Sequence, residues 1–329
     1  MPSSVLPSAA EIRDAAARLQ GLVVHTPLIP SPALSASVGG EVLLKLENEQ
    51  HGGSFKLRGA LNAIGAVAAR AGTAGTAGVV ASSAGNHGIG VAMAAARLGL
   101  PATVFVPATA PQVKRDAIAA AGATVDASAP GYDDAERAAR SFAARTGATF
   151  VSPCTGRALL AGAGTVAKEI MEGRPDVRTL VVCVGGGGLA GGVGGWLRGA
   201  APGVQLYGAQ AERTNAMSLA LARGGAVDIP DRPTLADGLA GLVDEEMYAQ
   251  GKAALDGLVT VDEAAIADAI RWLHATHGLV VEGSGAVGVA ALRIGALRPR
   301  AFPVAVVVSG RNIDRTRWDA ILAGGGVPA

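Results

Sequence analysis

Short β-branched runs alternate along this chain with alanine-rich stretches of helical length. The runs 42–47 (VLLKLE), 78–82 (GVVAS), 102–107 (ATVFVP), 123–128 (ATVDAS), 148–153 (ATFVSP), 179–185 (TLVVCVG), 204–210 (VQLYGAQ) and 302–309 (FPVAVVVS) are apolar on both faces and bounded by Gly or Pro. That pattern predicts strands buried on both sides. Between most of them lie segments such as APQVKRDAIAAAGA and YDDAERAARSFAARTGA, long enough for a helix each. Strand–helix alternation of this kind predicts an α/β fold with open, mostly parallel sheets flanked by helices. The strand–helix units from about 78 to 149 are enough for a small sheet of their own, and the rest of the chain, on both sides, for a larger one. The expected division is a large domain of residues 1–76 and 150–329 with a small domain, 77–149, inserted into it. The stretch RAGTAGTAG at 70–78 reads as a linker. A cleft between the two domains is the expected ligand site.

Composition narrows the classes. The 329 residues carry a formal net charge of +1, with no basic run and no acidic tail, which argues against a nucleic-acid partner. Half of the residues are hydrophobic, and residues 71–96 and 179–197 hold no charged side chain. Length alone makes both stretches candidate membrane spans. Their content argues otherwise, because the first contains the polar turn SSAGNHG and the second the poor helix former GGGGLAGG. The N-terminus lacks the charged and apolar regions of a secretory signal. The two cysteines, Cys154 and Cys183, are too few for a disulfide framework or a structural zinc site and fit a reducing cytoplasm.

Open parallel sheets take ligands at the carboxyl ends of their strands. Four segments there carry chemistry. In VCVGGGGLAGG, Gly185, Gly186, Gly187 and Gly188 follow a strand and open a helix, so successive backbone N–H groups and the helix dipole form an anion site suited to phosphate. No acidic residue closes the next strand to grip a ribose, and no GK[ST] follows, so neither nucleotide fingerprint is met. The alternative is a tight turn with close helix packing. In VVASSAGNHG, Ser82, Ser83, Gly85, Asn86 and His87 sit where a strand gives way to a helix, offering hydroxyls and free N–H groups to a carboxylate; ordinary N-capping is the competing reading. In VAVVVSGRNID, Ser309 ends an apolar strand and points toward the same crevice, unless it merely forms a turn. In QHGGSFKLRGA, Lys56 falls in the first turn of a predicted helix. A cation at the positive end of a helix dipole is poorly placed for a surface lysine. The dipole and the apolar flank favour the neutral amine that a Schiff-base lysine needs. An amine, a phosphate cup, a carboxylate turn and a strand-end hydroxyl describe one ligand, pyridoxal 5′-phosphate with an amino acid as its substrate.

The chain resembles the fold-type II pyridoxal-phosphate enzymes, in particular the threonine/serine dehydratase and serine racemase group. The resemblance runs from VVHTPLIPSPALS to SGRNID and rests on GSFKLRGA, SSAGNHG, GGGGLAGG, LADGLA (235–240), VEGSGAVGVAAL (281–292) and SGRN (309–312) in that order. It implies a tryptophan synthase β-like fold with the cofactor in the interdomain cleft, and a cytoplasmic homodimer. It implies that Lys56 holds the cofactor as a Schiff base and later takes the Cα proton. Phe55 would pack beside the ring, Asn86 would bond its 3′ oxygen, and Gly185 to Leu189 would bind the phosphate. Gly238 would approach the cofactor through its backbone, Glu282 would line it, and Ser309 would meet the pyridine nitrogen. Ser82, Ser83, Ala84, Gly85, Asn86, His87 and Arg311 would face the substrate. The implied reaction removes water from a β-hydroxy amino acid such as L-threonine or L-serine, giving a 2-oxo acid and ammonia.

Departures from the family pattern sharpen the expectation. Racemases of the group carry a second serine where this chain has Ala84, which favours dehydration over inversion. The group's cation site is reduced here to Glu212 and the Ala216 carbonyl, with Ser218 in place of a second acid, so no metal is expected. The segment SPCTGRALLAGAGT, with Ser152, Gly156 and Arg157, and Arg311 in SGRN are unusual and lie in stretches expected near the substrate. Arg311 would read an acidic side chain or be neutralised by Glu282 or Asp314. That keeps 3-hydroxyaspartate or a hydroxyectoine-pathway intermediate, a serine or aspartate racemase and a non-catalytic amino-acid-binding protein as alternatives. The chain stops shortly after SGRNID, so no regulatory domain is expected there. His25, His274 and His277 are expected to be structural.

Overall fold

Strands apolar at every position need cover on both faces, and the computed structural model, which describes residues 5–71, 77–230 and 232–326, supplies it. Residues 72–76 of the linker-like stretch, and with them one expected domain limit, lie outside the described residues. The chain runs α1 (Ala9–Leu19), β1 (Leu28–Pro30), α2 (Pro32–Val38), β2 (Val42–Leu46), α3 (Lys56–Ala71), β3 (Val79–Ser82), α4 (Asn86–Arg97) and β4 (Ala102–Pro107). It continues with α5 (Gln112–Ala120), β5 (Thr124–Ala129), α6 (Tyr132–Thr146), β6 (Thr149–Phe150), α7 (Arg157–Gly173), β7 (Thr179–Cys183), α8 (Gly188–Ala200) and β8 (Gln205–Ala211). It ends with α9 (Ala216–Arg223), α10 (Glu245–Ala254), β9 (Gly257–Val261), α11 (Glu263–His277), α12 (Gly283–Arg293), β10 (Val304–Val308) and α13 (Arg315–Leu322).

Two sheets result. One has six strands in the order β1-β2-β10-β7-β8-β9, the other four in the order β5-β4-β3-β6. All pairings are parallel except β1 with β2. At the centre of the larger sheet β10 lies between β2 and β7, with Val306 opposite both Leu44 and Val181. Every residue of these three strands is buried, and each such Val or Leu contributes about 1.5–3 kcal/mol of apolar burial. The sequence pattern missed β1 and β9. β1 has only three residues and is half-buried, and β9 is a half-buried edge strand, so neither has a continuous apolar run. β6 is two residues long where a six-residue run was expected.

The glycines of α7 and α8 explain how two helices cross closely behind the site. A Cβ on Gly192 would lie 2.4 Å from the Leu160 carbonyl, and one on Gly164 would lie 2.6 Å from the Gly192 carbonyl. The core around β3 and β4 does not stop at the small sheet's own helices. Leu57, Leu61 and Ile64 of α3 and Leu159 and Leu160 of α7 pack into one cluster with Val79, Val104 and Ile118. Among the described residues, no helix is long and apolar enough to cross a membrane.

Candidate cofactor and substrate site

The site forms where β2, β3, β7 and β10 end. Lys56 opens α3, its Nζ donating to the Pro153 carbonyl at 2.9 Å and lying 5.2 Å from the centre of the Phe55 ring. The turn before it is fastened to the segment after β10. The Phe55 N–H donates to Ser309 O at 3.1 Å, the Arg311 N–H to Gly53 O at 2.9 Å, and Ser54 bridges Gly310. Gly53 has φ +75°, and a Cβ there would meet Asn312 Oδ1 at 2.5 Å, so only glycine fits this turn.

One turn into α3, Arg58 is fully buried. Its guanidinium donates to both carboxylate oxygens of Glu47 at 2.8 Å, to Glu169 at 2.6 and 2.9 Å, to Thr165 and to the Val24 carbonyl. Lys45 completes the group with a 2.5 Å contact to Glu169. Two cations and two carboxylates cancel. Burial would raise the Glu169 carboxyl, but Arg58 and then Lys45 hold it below its ordinary value. This network roots the helix that carries Lys56.

The four glycines after β7 run between two other backbone segments. A Cβ on Gly185 would lie 3.0 Å from Leu239 Cα, one on Gly186 2.7 Å from Cys154 Sγ, and one on Gly188 3.1 Å from Cys154 Cα. Gly187 caps α8 in the left-handed region at φ +85°. The loop therefore has room for no side chain of its own, and its N–H groups at the start of a 13-residue helix form an anion cradle. Leu189, the second residue of α8, is buried beneath it. Ser309 is buried, its hydroxyl only loosely engaged with the Ser284 carbonyl at 3.4 Å, which leaves it available to a ring nitrogen. The Cys183 thiol beside it is pushed up to about 11 by burial, with the Ser309 hydroxyl acting the other way.

The opposite wall comes from the small sheet. Ser82 ends β3, Ser83 accepts the Gly85 N–H at 3.2 Å, Ala84 is buried, and Asn86 opens α4. Asn86 is clamped, donating to Glu282 at 2.6 Å and accepting from Asn312 at 2.7 Å; Asn312 also donates to the Gly52 carbonyl. The second amide hydrogen of Asn86 remains for a ligand. Glu282 is buried at the start of α12. Burial pushes its carboxyl up to about 8, helped by Asp237, which favours the protonated form. His87 turns its ring away from solvent and onto the Val151 carbonyl at 2.8 Å. Gly238 lies in a short 3₁₀ turn, where a Cβ would come within 2.8 Å of the Ser284 hydroxyl. That buried hydroxyl has no protein partner among the described residues.

A cavity of about 210 Å³ opens beside these groups, with Lys114, Asp237, Glu282, Asn312 and Asp314 in its lining. Lys114 of α5 and Asp237 meet across it at 3.1 Å. A larger hollow of about 400 Å³ lies against α1 and α7, away from Lys56, Ser309 and the glycine loop.

Arg311 meets a protein carboxylate, one of its two expected uses, but the partner is Glu49 at 3.4 Å and not Glu282 or Asp314, and the side chain is exposed. Arg157 turns away from the cleft to pair with Glu11 of α1. The remnant cation group is scattered along one segment: Glu212 is exposed, Ala216 opens α9, and the Ser218 N–H donates to Gln210. No cluster of three or more acidic, His or Cys side chains able to hold a metal occurs among the described residues. His277 meets the Ser31 hydroxyl at 2.9 Å and His274 stacks edge-on to Trp318. Sequence reading gave no role to the Pro153 carbonyl, to Asn312 or to the Arg58 network. The first is a backbone atom that no residue type announces, whereas Arg58 and Asn312 stand inside the quoted motifs.

The residues fit a ligand with a phosphate, a carbonyl carbon and a ring nitrogen: the Pro153–Cys154 segment joins amine to cradle, and the Phe55–Ser309 backbone bond joins the lysine turn to the hydroxyl. Comparison with known proteins agrees. Residues 19–310 match the family described as pyridoxal-phosphate dependent enzyme. The chain is 42% identical over 313 residues to L-threonine ammonia-lyase of Thermotoga maritima, covering 95% of this chain and 77% of that protein. It is 34% identical to the catabolic L-threonine dehydratase of Staphylococcus aureus, covering 97% of this chain and 92% of that one. Among solved structures, maize serine racemase superposes with a TM-score of 0.90 at 30% identity, over 97% of this chain and 98% of that one.

Proposed function

The chain belongs to the family of pyridoxal-phosphate dependent enzymes, and from that premise we propose that it is an ammonia-lyase that dehydrates a β-hydroxy amino acid, L-threonine or L-serine, to a 2-oxo acid and ammonia. One observation carries the reading. The segment Pro153–Cys154 takes the Lys56 amine on one residue and borders the glycine cradle with the next, so amine and anion site are built on the same short stretch.

When bound, the cofactor would supply an electrophilic aldehyde carbon for the substrate amine and an electron sink for Cα. The protein does the rest. Gly185 to Leu189 hold the phosphate, Asn86 the ring's 3′ oxygen, and Phe55, Gly238 and Glu282 the sides of the ring. Ser309 offers a hydroxyl to the ring nitrogen; being neutral, it does not force that nitrogen to stay protonated, which favours prompt loss of the β-substituent. Ser82 to His87 bind the substrate carboxylate, with backbone N–H groups at the start of α4 as the donors. Lys56, freed by the substrate, takes the Cα proton. The β C–O bond then breaks, and the oxygen takes up the proton that Lys56 holds and leaves as water; hydrolysis of the released enamine consumes one water and yields ammonia and the 2-oxo acid. Residues 1–76 and 150–329 serve as the cofactor domain and 77–149 as the inserted one, a division supported by strands β3 to β6 pairing only with each other. We further infer a cytoplasmic homodimer, on the family resemblance and the two unpaired cysteines.

Likeness to maize serine racemase supports a second reading, inversion at Cα. Against it stands Ala84, which has no proton to give. The exposed Arg311–Glu49 pair speaks against a substrate with an acidic side chain. The test is a panel of D- and L-β-hydroxy amino acids, 3-hydroxyaspartate included, assayed for 2-oxo acid, ammonia and enantiomer. L-Threonine or L-serine should give 2-oxo acid in excess over enantiomer. Turnover of 3-hydroxyaspartate alone, or inversion outrunning oxo-acid formation, overturns the reading.

A further inference from the structure

The loop after β6 presents two carbonyls two residues apart, and each holds one side chain of the site. Pro153 O receives Lys56 Nζ at 2.9 Å, and Val151 O receives the His87 ring at 2.8 Å. The Val151 N–H is tied to Val80 O in the small sheet at 2.8 Å. His87 is only 3% exposed and sits in the first turn of α4. A carbonyl can only accept, so Nε2 carries the proton toward Val151. Burial, with the charge of Lys56 nearby, pushes the imidazole down to about 3, so the ring is neutral throughout the working range. Its other nitrogen has no protein partner among the described residues.

The imidazole is thus a neutral strut and not an acid. We propose that His87 is a positioning residue for Lys56: by pinning the Val151 carbonyl it fixes the short loop whose Pro153 carbonyl receives the lysine amine. The inference rests on Lys56 being the cofactor lysine. It goes further in assigning the His87 ring to the lysine and not to the substrate. When substrate frees the amine, Pro153 O is the acceptor that holds Nζ close to its working position. A loop that shifts by about 1 Å would move that acceptor, enough to cost up to about 100-fold in rate. The carboxylate-binding N–H groups of α4 would stay where they are.

Three variants of the holoenzyme test this. His87→Leu removes the donor, His87→Gln keeps an N–H of similar reach, and Lys56→Ala checks the underlying reading. In His87→Leu, kcat should fall about 10- to 100-fold while KM stays within about threefold. Hydroxylamine should strip the cofactor from it about tenfold faster than from the parent, a readout independent of turnover. His87→Gln should recover most of both losses. If His87→Leu does not fold, His87→Asn, whose amide is too short to reach Val151, takes its place. Unchanged kcat and stripping rate in the donor-free variant overturn the proposal. So does a rise in KM alone, which would make His87 a substrate contact, or a Gln variant as impaired as Leu. Failure of the lysine reading shows separately: borohydride followed by peptide mapping would then find the pyridoxyl group away from position 56.

Discussion

Replacing Arg58 by Met is the most exacting test of how the lysine helix is held. The side chain is fully buried and makes six hydrogen bonds, four of them to the carboxylates Glu47 and Glu169. After the substitution Lys45 still faces Glu169 at 2.5 Å, while Glu47, also fully buried, keeps the Thr26 hydroxyl at 2.5 Å and the nearby charge of Lys45, which it must share with Glu169. A group that was neutral as a whole carries one uncompensated negative charge. Breaking a buried pair in this way costs about 3–5 kcal/mol, a large share of the about 5–15 kcal/mol typical of a native protein. Arg58→Met combined with Glu47→Gln removes charge from both sides and should recover at least about 2 kcal/mol of the loss, because neutral replacement of a buried pair is often tolerated. Urea unfolding followed by both circular dichroism and tryptophan fluorescence gives the midpoints, and agreement of the two probes licenses the comparison. Cofactor affinity should fall with stability in the single variant, since α3 begins only two residues earlier. A cost under about 1 kcal/mol in the single variant, or a double variant no better than the single, would refute the argument that charge balance roots this helix.

Gly185→Ala should weaken cofactor binding by about tenfold, measured by titrating apoenzyme and following absorbance, because its Cβ would press on Leu239 Cα at 3.0 Å and crowd the cradle; unchanged affinity would show that the loop yields. Ala84→Ser should raise the share of enantiomer over 2-oxo acid with L-serine in deuterated water, and an unchanged ratio would remove Ala84 as the reason for elimination. Glu282 has a folded value of about 8 against an ordinary 4.5, so its contribution to stability is largest below 4.5 and is lost as pH rises through 8. Glu282→Gln should therefore gain stability over the parent at pH 8.5 but not at pH 5; an equal difference at both would contradict this. His87, with a folded value near 3 against 6.5, contributes fully above 6.5 and loses its contribution as pH falls toward 3; His87→Gln should flatten that acid limb in pH-dependent unfolding.

The central sheet was legible because β2, β7 and β10 are short, buried at every position and apolar at all but Lys45 and Thr179, and a run of that kind has few other places to go. The half-buried edges β1 and β9 left no such trace. The glycine loop stood out because four glycines exceed what a turn requires, and Lys56 because a cation at a helix start is poorly placed, whereas Ser309 taken alone read as an ordinary turn. The motifs gave Arg311 and Arg157 no direction. A long cation seen in sequence has a reach of many ångströms and no direction, and here both side chains point outward, to Glu49 and Glu11. The Pro153 and Val151 carbonyls were out of reach for a different reason: every residue has one, so only the fold distinguishes the two that matter.

The distribution of the site over two sheets carries a functional consequence. Lys56, the glycine cradle and Ser309 are fastened to one another through the larger sheet, by backbone bonds at Gly53, Phe55 and Ser309 and by the packing of α7 on α8. The carboxylate turn belongs to β3 and α4 of the smaller sheet. Its polar links to the first group are Asn86 to Glu282 and Asn312 and, across the cavity mouth, Lys114 to Asp237, and α4 also shares a buried apolar cluster with α3, the helix of Lys56. Of these the Lys114–Asp237 pair is half exposed and worth at most about 1 kcal/mol. The two groups are therefore joined mainly by apolar packing of α3 against α4 and β4, with the polar links at the cavity mouth the weaker part. Any opening for an amino acid would have to leave that packing intact and act on the exposed links instead, because burying Leu57, Leu61 and Ile64 is worth far more than one surface pair.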